Sequence, residues 1–472
     1  MGQCIGVFGM GVMGRSLALN LARNQYPVAV YDIDDNYTKQ IYEFAGEEIK
    51  RVTICTELTR FIEALESPKR ILVMVTAGEA VDHVMDLLAP YLGRGDMIVD
   101  SGNSYYGDTR RRSAMWEEKG IHFCGMGVSG GERGAREGGA LMPGGSREAY
   151  ERMRPIYESM SARNADGVPC CSYVGPDGAG HFVKMVHNGI EYTDMELIAE
   201  CWQFMDKYLG LSIDEIREAF VQWNKGPLSC YLLDITIKIL ERRDEITGLP
   251  MVEIIKDEAK EKGTGCWTSK EAFDLKTAAP AVADAVFARY ISSDEAARKA
   301  AVKRFGQRYV LNGDDKPEKK EFLEALREAF YAAKICSYSQ GFGVMDTASK
   351  KYDWKLKLNE VAANWQTGCI IQSNFLHRVA AAYKEGLTEP LFLAEEFSEM
   401  IEKAEDGWRM VCSTALGSGI PVPILCGTLT YLDSYRVEHG TASLIQAQRD
   451  FFGAHTYCRI DREGSFHTKW ES

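Results

Sequence analysis

The segment "CIGVFGMGVMGRSLALNLARN", Cys4 to Asn24, limits the folds open to this chain more than any other. An apolar run leads straight into Gly9, Gly11 and Gly14, spaced G-x-G-x-x-G, and an amphipathic helical pattern follows. In that context the spacing reads as a strand, a tight turn and a helix whose N-terminus faces a phosphate. Gly9 permits the turn, Gly11 lets backbone approach a pyrophosphate, and Gly14 lets helix meet strand; Met10, Val12 and Met13 belong to the same cofactor-binding turn. The bland alternative is a merely structural turn. Against it stands the next apolar run, "PVAVYD", which closes on Asp32, where a carboxylate accepts hydrogen bonds from the adenosine ribose hydroxyls. No Arg or Lys occurs from Asp32 to Thr38, so the residues favour NAD over NADP, unless the acidic loop is simply solvated.

The alternation continues. "RILVMV", "DMIVDSG" and "IHFCGMGVSG" read as further buried strands, with helical patterns such as "EAVDHVMDLLAPYL" between them. This predicts βαβ units, a parallel sheet with helices on both faces and a Rossmann-type α/β domain over residues 1–177. From about Gly178 long helical periodicities dominate, predicting a large all-α domain over 178–434. Residues 435–472 lack sustained periodicity and are expected to form a C-terminal tail that packs on something else.

Charge and cysteine usage exclude whole function classes. A net charge of −13 disfavours nucleic acid and anionic membrane surfaces as partners, although a few convergent Arg and Lys can still hold an anionic small molecule. The 13 cysteines follow no metal-ligand spacing, so no metal is expected and the thiols read as reduced and mostly buried. The N-terminus enters a strand without a leader-like apolar run, and nothing approaches the roughly 18 apolar residues of a membrane helix. A cytoplasmic protein is the expectation.

Four clusters exceed what packing requires. In "KMVHNGIEY", Lys184, Asn188 and Glu191 are spaced i, i+4 and i+7, which stacks them on one helical face with His187 beside them. A solvated surface ion pair is the ordinary explanation of such a stripe. "VDSGNSYYGDTRRR" puts Asn103 just past a strand's C-terminal end, where open α/β sheets meet ligands. "GMGVSGGERGAREGGALMPGG" carries nine glycines between Gly125 and Gly145, with Ser129, Gly130 and Gly131 best placed to offer donors, turn geometry being the alternative. "KEKGTGCW" sets Lys262 and Thr264 in an oxyanion loop or, equally, a helix stop.

Taken in order, "GMGVMG", "DSGN", "GVSGGERGAREGGALMPGG", "KMVHNGIEY", "KGTGCW" and "IQAQRDFFGAHTY" resemble the decarboxylating 6-phosphogluconate dehydrogenases over essentially the whole chain. More distant relatives, the β-hydroxyacid dehydrogenases, share the first domain and a Lys-bearing helix but are much shorter; their chemistry on an unphosphorylated acid is the alternative. The resemblance implies that Lys184 is the general base and Glu191 the general acid. It implies that Asn103, Ser129, Gly130, Gly131, His187 and Asn188 hold the sugar acid, and that Tyr192, Lys262, Thr264 and Arg289 hold its phosphate end. Arg449 and His455 would reach into a partner subunit's site, which makes a homodimer with shared sites the expectation. Val75, Thr76, Ala77 and Asn103 join the cofactor set.

The chain also departs from the family's pattern. Where NADP-using members usually carry Asn-Arg-Thr it has Asp32, Ile33 and Asp34, and Thr76 stands where a lysine is usual. NADP is the family's usual cofactor, but these changes favour NAD. Gln366 and Gln372 replace two further family arginines.

Overall fold

The computed structural model describes residues 2–307 and 318–471. Short apolar runs become seven strands: Ile5–Phe8 (β1), Val28–Tyr31 (β2), Val52–Ile54 (β3), Arg70–Val73 (β4), Met97–Asp100 (β5), His122–Ser129 (β6) and Ala140–Pro143 (β7). They form one sheet in the order β3-β2-β1-β4-β5-β6-β7. Strand order reverses between β1 and β4, so a crevice opens at their C-terminal ends, as expected of a doubly wound sheet.

One strand departs from the expectation of a parallel sheet. β7 runs antiparallel to β6, with Met126 opposite Pro143 and Ser129 opposite Ala140. The connection between them holds only the short helix Gly131–Glu137, and a parallel return needs a longer crossover, so the chain doubles back. β3 and β7 escape the sequence reading because one is a three-residue edge strand and the other lies inside the glycine-rich run.

The helix Ala179–Lys207 leaves the sheet domain and forms the spine of the helical domain. It lies against β6 so closely that a Cβ on Gly125 would sit 2.6 Å from His181 Nδ1, and one on Gly127 would sit 2.3 Å from Lys184 Cβ. A Cβ on Gly180 would sit 2.2 Å from the Gly125 carbonyl. Several glycines of the Gly125–Gly145 run therefore serve helix-to-sheet contact, a role distinct from turn-making and from ligand approach.

Farther along, Asp194 accepts hydrogen bonds from Lys334 and Tyr338 of the helix Lys319–Lys351, all three side chains being buried. Buried Glu200 accepts from the amides of Ile424 (2.6 Å) and Leu425 (2.9 Å), capping the helix Pro423–Tyr435. These polar ties orient the spine within an otherwise apolar core, because a buried charge without partners is strongly unfavourable.

The tail has more structure than its sequence suggested. It contains the helix Ala442–Gly453, and Asp450 accepts from Thr456 N, His467 Nδ1, Thr468 N and Trp470 Nε1 at 2.9–3.0 Å. Burial pushes the Asp450 carboxyl up, but these donors outweigh it and hold it at about 2. Leu444, Phe451, Phe452 and Ile460 nevertheless remain exposed. Among the described residues no helix is long and apolar enough to cross a membrane, and no group of three or more His, Cys, Asp or Glu could hold a metal ion.

Candidate active site

The dinucleotide crevice is built by the loops that follow β1, β2, β4 and β5, around the sheet's reversal point. Gly9 has φ +98°, and a Cβ there would lie 2.4 Å from the Met74 carbonyl, so the β1 turn abuts the end of β4. A Cβ on Gly14 would lie 1.8 Å from the Gly9 carbonyl, so helix and turn are in contact. Gly11 differs: nothing lies within 4 Å of its Cβ position, which leaves its backbone open to a ligand at the N-terminus of the helix Val12–Arg23. Asp32 lies beside this turn, its Oδ2 accepting from Met10 N at 2.6 Å and its Oδ1 from Asp34 N at 2.9 Å. Ile33 is exposed, and Asp34 accepts from Asn36 N, capping the short helix Asp35–Lys39.

The loop after β4 carries Val75, exposed Thr76 and Ala77; a Cβ on Gly102 would come within 3.1 Å of the Val75 carbonyl. Asn103 is thereby brought to the crevice, exposed at the end of β5. Its loop is held from beneath by Asp100, fully buried, which accepts from Gly102 N and Ser104 Oγ.

The Lys184 stripe is buried. Lys184, His187 and Asn188 are 6%, 0% and 8% exposed, which excludes a solvated ion pair, and Glu191 retains 20% of its side-chain surface. His187 Nδ1 lies 3.4 Å from Lys184 Nζ, 3.0 Å from Asn188 Oδ1 and 3.7 Å from Glu191 Oε2. Its Nε2 is 3.0 Å from Ser129 Oγ, so β6 supplies one wall of the site. Gly130 (φ +107°) and Gly131 (φ +61°) follow in the left-handed region and turn the chain into the helix Gly131–Glu137.

This setting moves both titrating groups toward each other. Burial pushes the Lys184 amine down from its ordinary 10.5, with the Glu191 carboxylate opposing. Burial likewise pushes the Glu191 carboxyl up from 4.5, against Lys184 and Arg289. Burial, aided by Lys184, keeps His187 well below its ordinary value and hence neutral. A buried amine and a largely buried carboxyl on one helical face are suited to taking and giving protons in turn.

Beyond Glu191, the Arg289 guanidinium stacks 3.5 Å over the Tyr192 ring and donates to the Lys260 carbonyl. A Cβ on Gly265 would lie 2.7 Å from that ring, so the segment around Thr264 abuts the same pocket. "KGTG" is a helix start, not a stop: Gly263 (φ +92°) precedes the helix Thr264–Asp274, and Thr264 is buried at its first turn. Lys262 is exposed beside it. Arg449 and His455 are exposed, and their contacts lie within the tail: Arg449 donates to Gln446 Oε1, and the His455 ring packs edge-on to Phe452.

One site residue was missed. Cys369, 2% exposed, places its Sγ 2.8 Å from His187 Nε2 and 3.4 Å from Ser129 Oγ. It sits in an irregular loop some 180 positions from His187, and no periodicity or spacing marks it. The same loop places the two glutamines: Gln366 Oε1 accepts from Asn164 Nδ2, and Gln372 Oε1 accepts from Gly368 N.

Similarity to known proteins agrees with this geometry. The family description "NAD binding domain of 6-phosphogluconate dehydrogenase" matches residues 4–175, and "6-phosphogluconate dehydrogenase, C-terminal domain" matches residues 180–470. A Bacillus subtilis relative named 6-phosphogluconate dehydrogenase, NADP(+)-dependent, decarboxylating is 47% identical over 99% of both chains. An Escherichia coli relative named 6-phosphogluconate dehydrogenase, decarboxylating is 46% identical over 99% of both. Among solved structures, the Plasmodium falciparum 6-phosphogluconate dehydrogenase, studied apo, with its cofactor NADP+ and with its substrate 6-phosphogluconate, superposes with a TM-score of 0.95 at 38% identity. That match covers 99% of this chain and 100% of the other.

Proposed function

This chain belongs to the 6-phosphogluconate dehydrogenase family, and from that premise we propose that it oxidatively decarboxylates 6-phospho-D-gluconate to D-ribulose 5-phosphate and CO2. A nicotinamide dinucleotide, bound at the glycine turn, supplies the hydride acceptor. The open Gly11 backbone, the helix N-terminus behind it and the Asp32 carboxylate beside it fit such a group. Lys184, as the free amine, takes the proton of the C3 hydroxyl as hydride leaves C3. The resulting β-keto acid loses CO2, since the 3-ketone accepts the electrons of the breaking bond. Glu191, as the carboxylic acid, then protonates C1 of the enediol. The observation that carries this reading is the buried stripe itself, with Lys184 pushed down and Glu191 pushed up beside a dinucleotide crevice.

Asn103, Ser129, Gly130, Gly131, His187 and Asn188 hold the sugar acid in this reading. Tyr192, Lys262, Thr264 and Arg289 hold the phosphate end. Arg449 and His455 complete the site from a partner subunit's tail, a homodimeric arrangement supported by the exposed Leu444, Phe451 and Phe452. Local cations thus serve a substrate carrying both a phosphate and a carboxylate on a chain of net charge −13.

NAD is the preferred cofactor in this reading. Asp32 opposes a 2′-phosphate dianion, and neither Ile33 nor Thr76 offers a cation, a handicap for NADP on the order of 1–3 kcal/mol, or about one to two decades. Initial rates of reduced-nicotinamide absorbance with 6-phosphogluconate should give the higher kcat/KM with NAD. A clear NADP preference would sink the Asp32 argument and leave the reaction standing. Absence of reduction with either would sink both.

A further inference from the structure

Two groups crowd the Nε2 atom of His187, Ser129 Oγ and Cys369 Sγ, and their hydrogen-bonding capacities determine where its single proton resides. Ser129 Oγ accepts from Ile370 N at 3.3 Å, which leaves its own proton free to donate to His187 Nε2. Cys369 lies 2.8 Å from the same nitrogen, and burial pushes its thiol up to about 12, so it remains an S–H donor. With donors on Nε2, the imidazole carries its proton on Nδ1, which faces Asn188 Oδ1 and Lys184 Nζ. An Nδ1–H is compatible with a free amine on Lys184, whose lone pair it can meet. It conflicts with an ammonium, which would turn a proton toward it.

Resting on the function proposed above, we infer that Cys369 is a positioning residue: its S–H keeps the His187 proton on Nδ1, and so keeps Lys184 in its basic form, when Ser129 turns its hydroxyl to the bound sugar acid. Ser129 alone meets the need in the free site, but it has one proton to give. Once that proton goes to substrate, Cys369 is the remaining donor on Nε2. The groups that act on Lys184 are His187 and Glu191 from its own helix and Cys369 from the loop, while β6 presents Gly127 and Ser129, which do not titrate in the working range. The loop is fixed to the sheet, because Ala140 N donates to the Gly368 carbonyl at 3.0 Å, so the thiol is held in place by both domains.

The test compares Cys369→Ala, which removes the donor, with Cys369→Ser, which retains one, by the pH profile of kcat at saturating 6-phosphogluconate. Cys369→Ala should raise the pH of the acidic limb by about one unit and lower kcat near neutrality by up to about tenfold, with KM changed by less than about threefold. Cys369→Ser should keep the limb of the parent enzyme. Should the alanine variant fold poorly, Cys369→Val, close in volume and without a donor, takes its place. An unmoved limb in the donorless variant, or equal damage from serine, overturns the assignment. Imidazole 15N shifts of His187 in the unsubstituted protein give a readout independent of turnover. Protonation at Nδ1 is expected, and protonation at Nε2 overturns the role of Cys369. A protein with Nδ1–H that fails to turn over 6-phosphogluconate would instead overturn the functional reading.

Discussion

The dinucleotide crevice opens between β1 and β4 and the Lys184 pocket lies against β6 of the same sheet, yet the two are constructed on opposite principles. The crevice is made of backbone: an open glycine, a helix N-terminus and one carboxylate hydrogen-bonded to the turn itself. Its parts fall within a few residues of β-strand ends. The pocket is made of buried side chains from β6, the Ala179–Lys207 helix, the Thr264 region and the Cys369 loop. One region is lined mainly by backbone groups; the other presents side chains whose protonation burial has shifted. The first can tolerate solvent, whereas the second depends on its exclusion.

Substitutions should therefore separate the two. The largest effect falls on chemistry alone: Lys184→Ala is expected to lower kcat by about 10²–10⁴-fold while the Kd for dinucleotide, measured by fluorescence titration, stays within about twofold. Parallel loss of dinucleotide affinity would show that the two regions are not separable. Next come two glycines of the turn. Gly14→Ala drives a Cβ into the Gly9 carbonyl and should destabilise the fold by about 1–3 kcal/mol in urea melts. Gly11→Ala meets nothing and has φ −60°, so its stability should move by less than about 0.5 kcal/mol while dinucleotide binding weakens by about tenfold. Equal unfolding midpoints for the two variants would undo the distinction between contact glycine and ligand glycine.

The smallest effect concerns acidity. Burial holds His181 and His187 below their unfolded 6.5, so each contributes stability that is present above that pH and lost as pH falls from it toward the folded value. Melting temperature should drop between about pH 7.5 and 5.5, and His181→Gln should reduce the drop. An unchanged slope in that variant would remove His181 from the account.

Legibility followed the same division. The glycine turn, Asp32 and the stripe spacing could be read because each is a local pattern: turns, strand ends and helical faces repeat over a few residues. So could the change to a helical domain near Gly178, though not the antiparallel β7, whose direction follows from a connection too short to cross over. The tail's helix was hidden because its stabilising hub, Asp450, gathers donors from Thr456, His467, Thr468 and Trp470, which no periodicity links.

By itself, then, the sequence determined which family's order the motifs follow, and it put forward the residues proposed to do the chemistry. It could not say that Lys184 and His187 are buried, that Gly125 and Gly127 exist to admit the helix, or that Cys369 faces His187. Those were decided by tertiary structure. Desolvation and cross-domain hydrogen bonds depend on distance in space, and the pKa shifts that make an amine a base arise only once water has been excluded from around it.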